Sequence, residues 1–406
     1  PHSFPTRRSS DLRDNPAAKA PTNPSRVLAD WFGVLETGLD SEDFRFRRAA
    51  GVRVGYGVGH HHDDPLDLQI WAHGVPMCGD GGGRTGYAVP PNAAVQSHNT
   101  VVSPLAMETR HRWVSSFAPT PGAQYLEAQV KCSGFYGRQL ALIDADAGRV
   151  AESATAWPVT PNSYAVDVFR VRGGDKAPSY AFHGPPPDEF TVNVPDKRKG
   201  EFGGFLDPES KWEGTAPDTL TAQWRMRRDP AEIVYRNSEG AEQKLAVPGA
   251  ERMAMNEKRL GAPLTDAVPR KHIRMHLLGH KGARAWGAQA LCLNGEVFEN
   301  RNLYVTPAAW GGEMVFPVVF EPFAGAADGG FIAGVRLLTP TSALSKADAP
   351  VAIEVTLKDG RRDVIVLAPR GGGAVTVPGL GTVDGEYAFL SWDAKGLRQA
   401  VLAGGT

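Results

Sequence analysis

SYAVDVFRV, residues 163–171, alternates along its length. Tyr164, Val166 and Val168 fall on one side of an extended chain, and Ala165, Asp167 and Phe169 on the other. A period of two marks a β-strand. VAIEVTLKDGRRDVIVL (351–367) gives the same signal twice around Asp359-Gly360, a hairpin turn pair. ALIDADAGRV (141–150) reads as strand, turn, strand. Its 46 glycines and 32 prolines punctuate the chain too densely for helix bundles. The expected fold class is all-β: a large antiparallel β-sandwich (super-sandwich) with a small C-terminal all-β subdomain.

The stretch PHSFPTRRSSDL (1–12) has neither an initiating Met nor an apolar signal core. It resembles translated sequencing-adapter read-through and is expected to be a non-native leader, with the true N-terminus missing. RDNPAAKAPTNPS, continuing to residue 26, reads as a linker. The sandwich is expected over 27–345 and the C-terminal subdomain over 346–406. PPPDEF and PDKRKGEFGG, within 185–204, read as a long polar loop.

At 406 residues and 42 % hydrophobic, the chain can bury a large core. A net charge of −1 supplies no basic field, so neither nucleic acid nor a membrane surface is an expected partner. No apolar run reaches the roughly 20 residues of a membrane span. Three cysteines, Cys78, Cys132 and Cys292, make no disulfide framework and no CxxC metal knuckle.

The chemistry concentrates in GHHHDDPLDLQIWAHGVPMCGDGG (59–82). Leu66–Trp71 and Val75–Cys78 read as two strands joined at His73-Gly74, and a hairpin brings its ends together. Those ends carry His60–Asp64 and Asp80. SHNTVV (97–102) adds His98 at the start of another β-branched run. His60, His62, Asp80 and His98 could thus converge at one end of a sheet. Two imidazoles and a carboxylate suit a borderline divalent ion, zinc first. A solvated polar loop is the alternative. His272, Arg274, His276 and His280 also alternate, which suggests a solvated or carbohydrate-facing sheet surface, or a second metal site.

Together these residues resemble the C-terminal domain of heparinase II/III-like polysaccharide lyases. The H-x-H-x-D element is His60, His62 and Asp64; a strand, a Gly-containing turn at His73-Gly74, Asp80-Gly81-Gly82 and His98-Asn99-Thr100-Val101 follow in order. YLEAQVKCSGFYGRQLALID (125–144) and SYAVDVFRVRGGDKAPSYAFHG (163–184) extend the likeness, with Asp167, Gly173-Gly174 and His183-Gly184. It covers roughly 27–345.

The resemblance implies β-elimination on uronic-acid polysaccharides (heparan-type, alginate or related), a β-sandwich packed against an N-terminal α/α toroid, and periplasmic or secreted location. By motif, His62, Asp80 and His98 would ligate a structural Zn2+, His60 would line the cleft as a catalytic residue, and Asp64 would hold the loop or a ligand histidine. Tyr87, between Asp80 and His98, is the candidate proton-transferring Tyr. Arg84 is the candidate substrate-binding residue, able to hold a carboxylate bidentately. The toroid is absent from this sequence, so the expectation is the C-terminal portion of such a lyase, inactive without the helical domain. A non-catalytic carbohydrate-binding or scaffold sandwich and a cupin-like or other metal-dependent hydrolase are the competing readings.

Overall fold

The computed structural model describes residues 25–28, 31–38, 46–55, 62, 64–78, 95–108, 110–145, 160–185, 187–201, 208–226, 232–236, 242–246, 269–289, 300–371, 374–377 and 380–404. Among these, regular structure is strand, with only short 3-10 turns between strands. All pairing is antiparallel.

An eight-stranded sheet forms the centre. In spatial order its strands are Pro187–Val192, Thr219–Met226, Lys271–Leu278, Glu313–Ala324, Ser163–Arg172, Phe135–Asp144, Ala123–Val130 and Arg112–Ala118. On one side lie two further sheets. One is an N-terminal meander, Arg26–Leu28, Phe32–Thr37, Arg48–Arg53, Leu68–Ala72 and Val75–Pro76. The other has six strands, in order Arg198–Lys199, Trp212–Thr215, Arg284–Gln289, Arg301–Thr306, Ser179–His183 and Val101–Val102. A C-terminal five-stranded sheet, Ile332–Leu337, Val351–Leu357, Arg362–Leu367, Tyr387–Asp393 and Gly396–Ala403, covers the opposite face.

The alternation in 163–171 now has a physical meaning. Ala165, Phe169 and Val171 enter the core shared with the N-terminal and six-stranded sheets. Tyr164, Val166 and Val168 enter the core shared with the C-terminal sheet. The strand is therefore buried on both faces, and the super-sandwich is three layers deep about it. Glu313–Ala324, its neighbour, divides the same way: Met314, Phe316, Val318 and Phe320 on one side, Val315 and Val319 on the other.

Both expected hairpins form. Val351–Leu357 pairs with Arg362–Leu367, with Gly360 at φ 88° in the turn. Leu68–Ala72 returns as Val75–Pro76 through His73 (φ 52°) and Gly74 (φ 79°), the positive pair that suits the right-handed twist of a tight hairpin. The segment read as a polar loop instead supplies the edge strand Pro187–Val192. An edge strand pairs on one side only and so tolerates Pro187, Asp188 and Glu189, and a bulge between Pro187 and Glu189 absorbs the misfit. The strand Ile332–Leu337 opens the C-terminal sheet, which thus straddles residue 345.

Candidate functional site

His62 and His98 come together. Their ring centroids lie 5.2 Å apart with the planes at 41°, and His98 is fully buried. Two imidazoles bound through one nitrogen each to a tetrahedral zinc, at about 2.0–2.1 Å, stand with centroids roughly 5 Å apart. The 5.2 Å separation matches that spacing, and is equally that of two rings in ordinary contact. Asp80, His60, Arg84 and Tyr87 lie outside the described residues. Among the described residues no group of three or more His, Cys, Asp or Glu side chains is arranged for a metal.

The two histidines sit on loops locked to the sheets by buried polar contacts. Asp64, two residues after His62, is buried between Arg53 (2.9 Å) and Arg112 (3.4 Å), which ties it to strands of two different sheets. Asp67 accepts the Asn99 backbone N–H at 2.7 Å. The Asn99 side chain donates to the Leu68 carbonyl at 3.2 Å and accepts the His183 N–H at 2.7 Å. The Thr100 hydroxyl donates to the Pro65 carbonyl at 2.6 Å, and Tyr136 donates to the Val101 carbonyl at 2.6 Å. The His-Asn-Thr element thus works as a fastener: its backbone and side chains join the segment after His62 to the six-stranded sheet.

Beneath it lies an ion pair of which sequence reading named only Asp167, not its partner Arg138. Arg138 and Asp167, both fully buried, meet through two parallel contacts of 2.8 Å. Tyr180 donates to Asp167 at 2.6 Å. Burial opposes the charge on Arg138, but Asp167 outweighs it and holds the guanidinium above its ordinary pKa. The available signal was charge inside two largely apolar strands, Arg138 within FYGRQLALID and Asp167 within SYAVDVFRV, which also carry Asp144 and Arg170.

Nearby, His183 is buried against Tyr304 (centroids 5.8 Å apart), and the Tyr304 hydroxyl donates to the Gln96 carbonyl at 2.8 Å. His73, in the hairpin turn, is 2 % exposed and bonds Thr160 through Nδ1 at 2.5 Å. Burial lowers its pKa to about 4.

His272 and Arg274 do not form a solvated surface. His272 is fully buried, stacked on Phe323 at 4.6 Å, and Arg274 pairs with the buried Glu321 at 2.8 Å. His280 leaves their strand altogether, since the strand ends at Leu278 and Gly279 turns at φ 76°. Its Nε2 contacts the Val315 carbonyl at 3.0 Å, and burial lowers its pKa to about 4.

No family model matches this sequence, and no curated protein matches it. Among solved structures, one described as the heparinase III BT4657 gene product with methylated lysines aligns at TM-score 0.50 and 14 % identity, over 86 % of this chain and 42 % of that one. The heparan sulfate lyase HepC from Pedobacter heparinus aligns at TM-score 0.48 and 9 % identity, over 86 % of this chain and 43 % of that one. The chain spans less than half the length of the structures it matches. At this identity the likeness is one of fold, and the chain has a heparinase-like, all-β sandwich fold.

Proposed function

We propose that this chain is the β-sandwich portion of a polysaccharide lyase that cleaves uronic-acid-containing polymers by β-elimination outside the cytoplasm. The observation that carries the reading is the approach of His62 to His98 on a heparinase-like sandwich.

Elimination takes the proton from C5 of a uronate and expels the oxygen on C4. The C5 proton is poorly acidic while the neighbouring carboxylate is ionised, so that charge must be neutralised and the enolate-like state stabilised. A base and an acid must also flank the ring. In this proposal His60 lines the cleft, Tyr87 moves a proton, and Arg84 holds a substrate carboxylate. His62, Asp80 and His98 hold a zinc ion, which when bound fixes three cleft-bordering loops structurally. A helical domain supplies the carboxylate-neutralising group.

The first test is the metal content of the purified chain, for wild type and His62→Ala. About one zinc per chain, lost in the variant, supports the ligand set; a folded, metal-free wild type overturns it. Incubation of the chain, joined to a heparinase-type helical domain, with heparan-type and alginate polymers tests the reaction. An unsaturated uronide chromophore supports elimination. New reducing ends without it indicate hydrolysis, and binding without cleavage indicates a carbohydrate-binding scaffold.

A further inference from the structure

The two histidines ride on separate loops, and one side chain reaches the backbone of both. Arg138 Nη1 donates to the Leu66 carbonyl, four residues after His62, and at 2.7 Å to the Asn99 carbonyl, next to His98. Its other edge is fixed by the paired contacts with Asp167, which in turn takes the Tyr180 hydroxyl. Leu66 holds the left-handed conformation, φ 54°, which backbone sterics disfavour for a non-glycine residue. A captured carbonyl is a reason for the chain to stay there.

We infer that Arg138 is the positioning residue of the His62–His98 pair, a buried guanidinium that staples the two histidine loops at a fixed separation. The inference rests on reading that pair as metal ligands. The fork is what matters. Asp167 consumes Nε and Nη2, leaving Nη1 to serve two carbonyls at once. A lysine would keep the charge opposite Asp167 but has no planar fork with which to reach both loops. Charge alone would explain a stable core; only the fork explains why both histidine loops end on it.

The experiment compares zinc affinity by chelator competition, and the electronic spectrum of the cobalt(II)-substituted protein, in wild type, Arg138→Lys, Tyr180→Phe and Arg361→Lys. Arg361 is another buried arginine, placed just before the strand Arg362–Leu367 of the C-terminal sheet, paired with Asp363 at 2.8 Å and donating to the carbonyls of Asp144 and Ala145. Its variant therefore measures what generic loss of a buried fork does.

Direct outer contacts to metal ligands are worth about 10–100-fold in affinity. Arg138 acts one step further out, through the Leu66 and Asn99 carbonyls. Arg138→Lys is therefore expected to weaken zinc binding by about tenfold, the low end of that range, and to broaden or shift the tetrahedral cobalt bands. Arg361→Lys should leave both unchanged. Tyr180→Phe removes one hydroxyl from Asp167, and is expected to weaken binding measurably but by less than the roughly tenfold loss expected for Arg138→Lys, a readout that stands even if Arg138→Lys fails to fold. Wild-type affinity in both folded variants, or equal losses in Arg361→Lys and Arg138→Lys, overturns the inference while leaving the ligand set intact. A wild type that binds no zinc overturns the ligand set and this role with it.

Discussion

His62 lies with its ring 5.2 Å from that of His98, His62 on the segment just before the hairpin and His98 at the start of the later His-Asn-Thr element. A ligand that binds only this assembled pair stabilises the native state by mass action. Chelation is therefore expected to lower the melting temperature of the wild type, and zinc to restore it. His62→Ala and His98→Ala should melt at the same temperature with and without chelator. Differential scanning calorimetry checks this.

The Arg361–Asp363 pair joins the C-terminal sheet to the central one, because Tyr164 of the central sheet also donates to Asp363 at 2.7 Å. Removing one member strands a buried charge. Asp363→Ala is expected to cost about 3–5 kcal/mol in urea unfolding.

His73 and His280 are held neutral, each with its pKa lowered by burial to about 4. The unfolded chain titrates them near 6.5, so between about 4 and 6.5 it binds more protons than the folded one. Their contribution is complete above about 6.5 and is lost as pH falls toward 4, up to about 3 kcal/mol for each. Unfolding free energies at pH 7 and pH 5 should show this loss, and His280→Gln should reduce it. An unchanged slope in that variant would exclude His280 as a source.

Glu127 shifts the other way. It is 2 % exposed, and burial raises its carboxyl above the ordinary range, while Gln129 donates to it at 2.6 Å. Its stabilising contribution is present at low pH and is lost as pH rises through the raised value. Glu127→Gln is expected to raise the melting temperature at neutral pH, with the gain fading below the usual carboxylate pKa. Melting curves at pH 4 and pH 7.5 make the comparison.

Gly184 follows His183 where the chain passes Trp224. An added Cβ would stand 2.2 Å from the indole Nε1, which is itself engaged with the Arg301 carbonyl at 2.8 Å. Gly184→Ala is expected to destabilise by about 1–3 kcal/mol, measured by denaturant titration.

Local pattern made much of this molecule legible. The period of two in 163–171, the Asp359-Gly360 turn and the His73-Gly74 turn each depend on neighbours in sequence, and each forms as read. The meeting of His62 and His98 was legible from the motif resemblance; hairpin closure alone bears on His60–Asp64 and Asp80 and did not place His98. The Arg138–Asp167 staple was not. It depends on which strands lie side by side and on what packs above them, and neither is encoded within a short window. His280 was grouped with His272 and His276 by counting in twos, but Gly279 ends the strand and with it the alternation. The acidic, proline-bearing edge strand Pro187–Val192 was read as a loop because edge pairing relaxes the composition a strand requires.

The three-layer build has a consequence for biosynthesis. Ser163–Arg172 pairs on one side with Phe135–Asp144, made just before it, but on the other with Glu313–Ala324, and one of its faces is covered by strands that follow residue 350. A ribosome therefore releases this strand, buried on both faces in the finished fold, long before its second neighbour or its roof exists. Such a nascent chain presents an open sheet edge until Glu313–Ala324 is made and a bare apolar face until the C-terminal strands are made. Its yield in a cell should depend on holding chaperones during that interval more than on the stability of the finished fold.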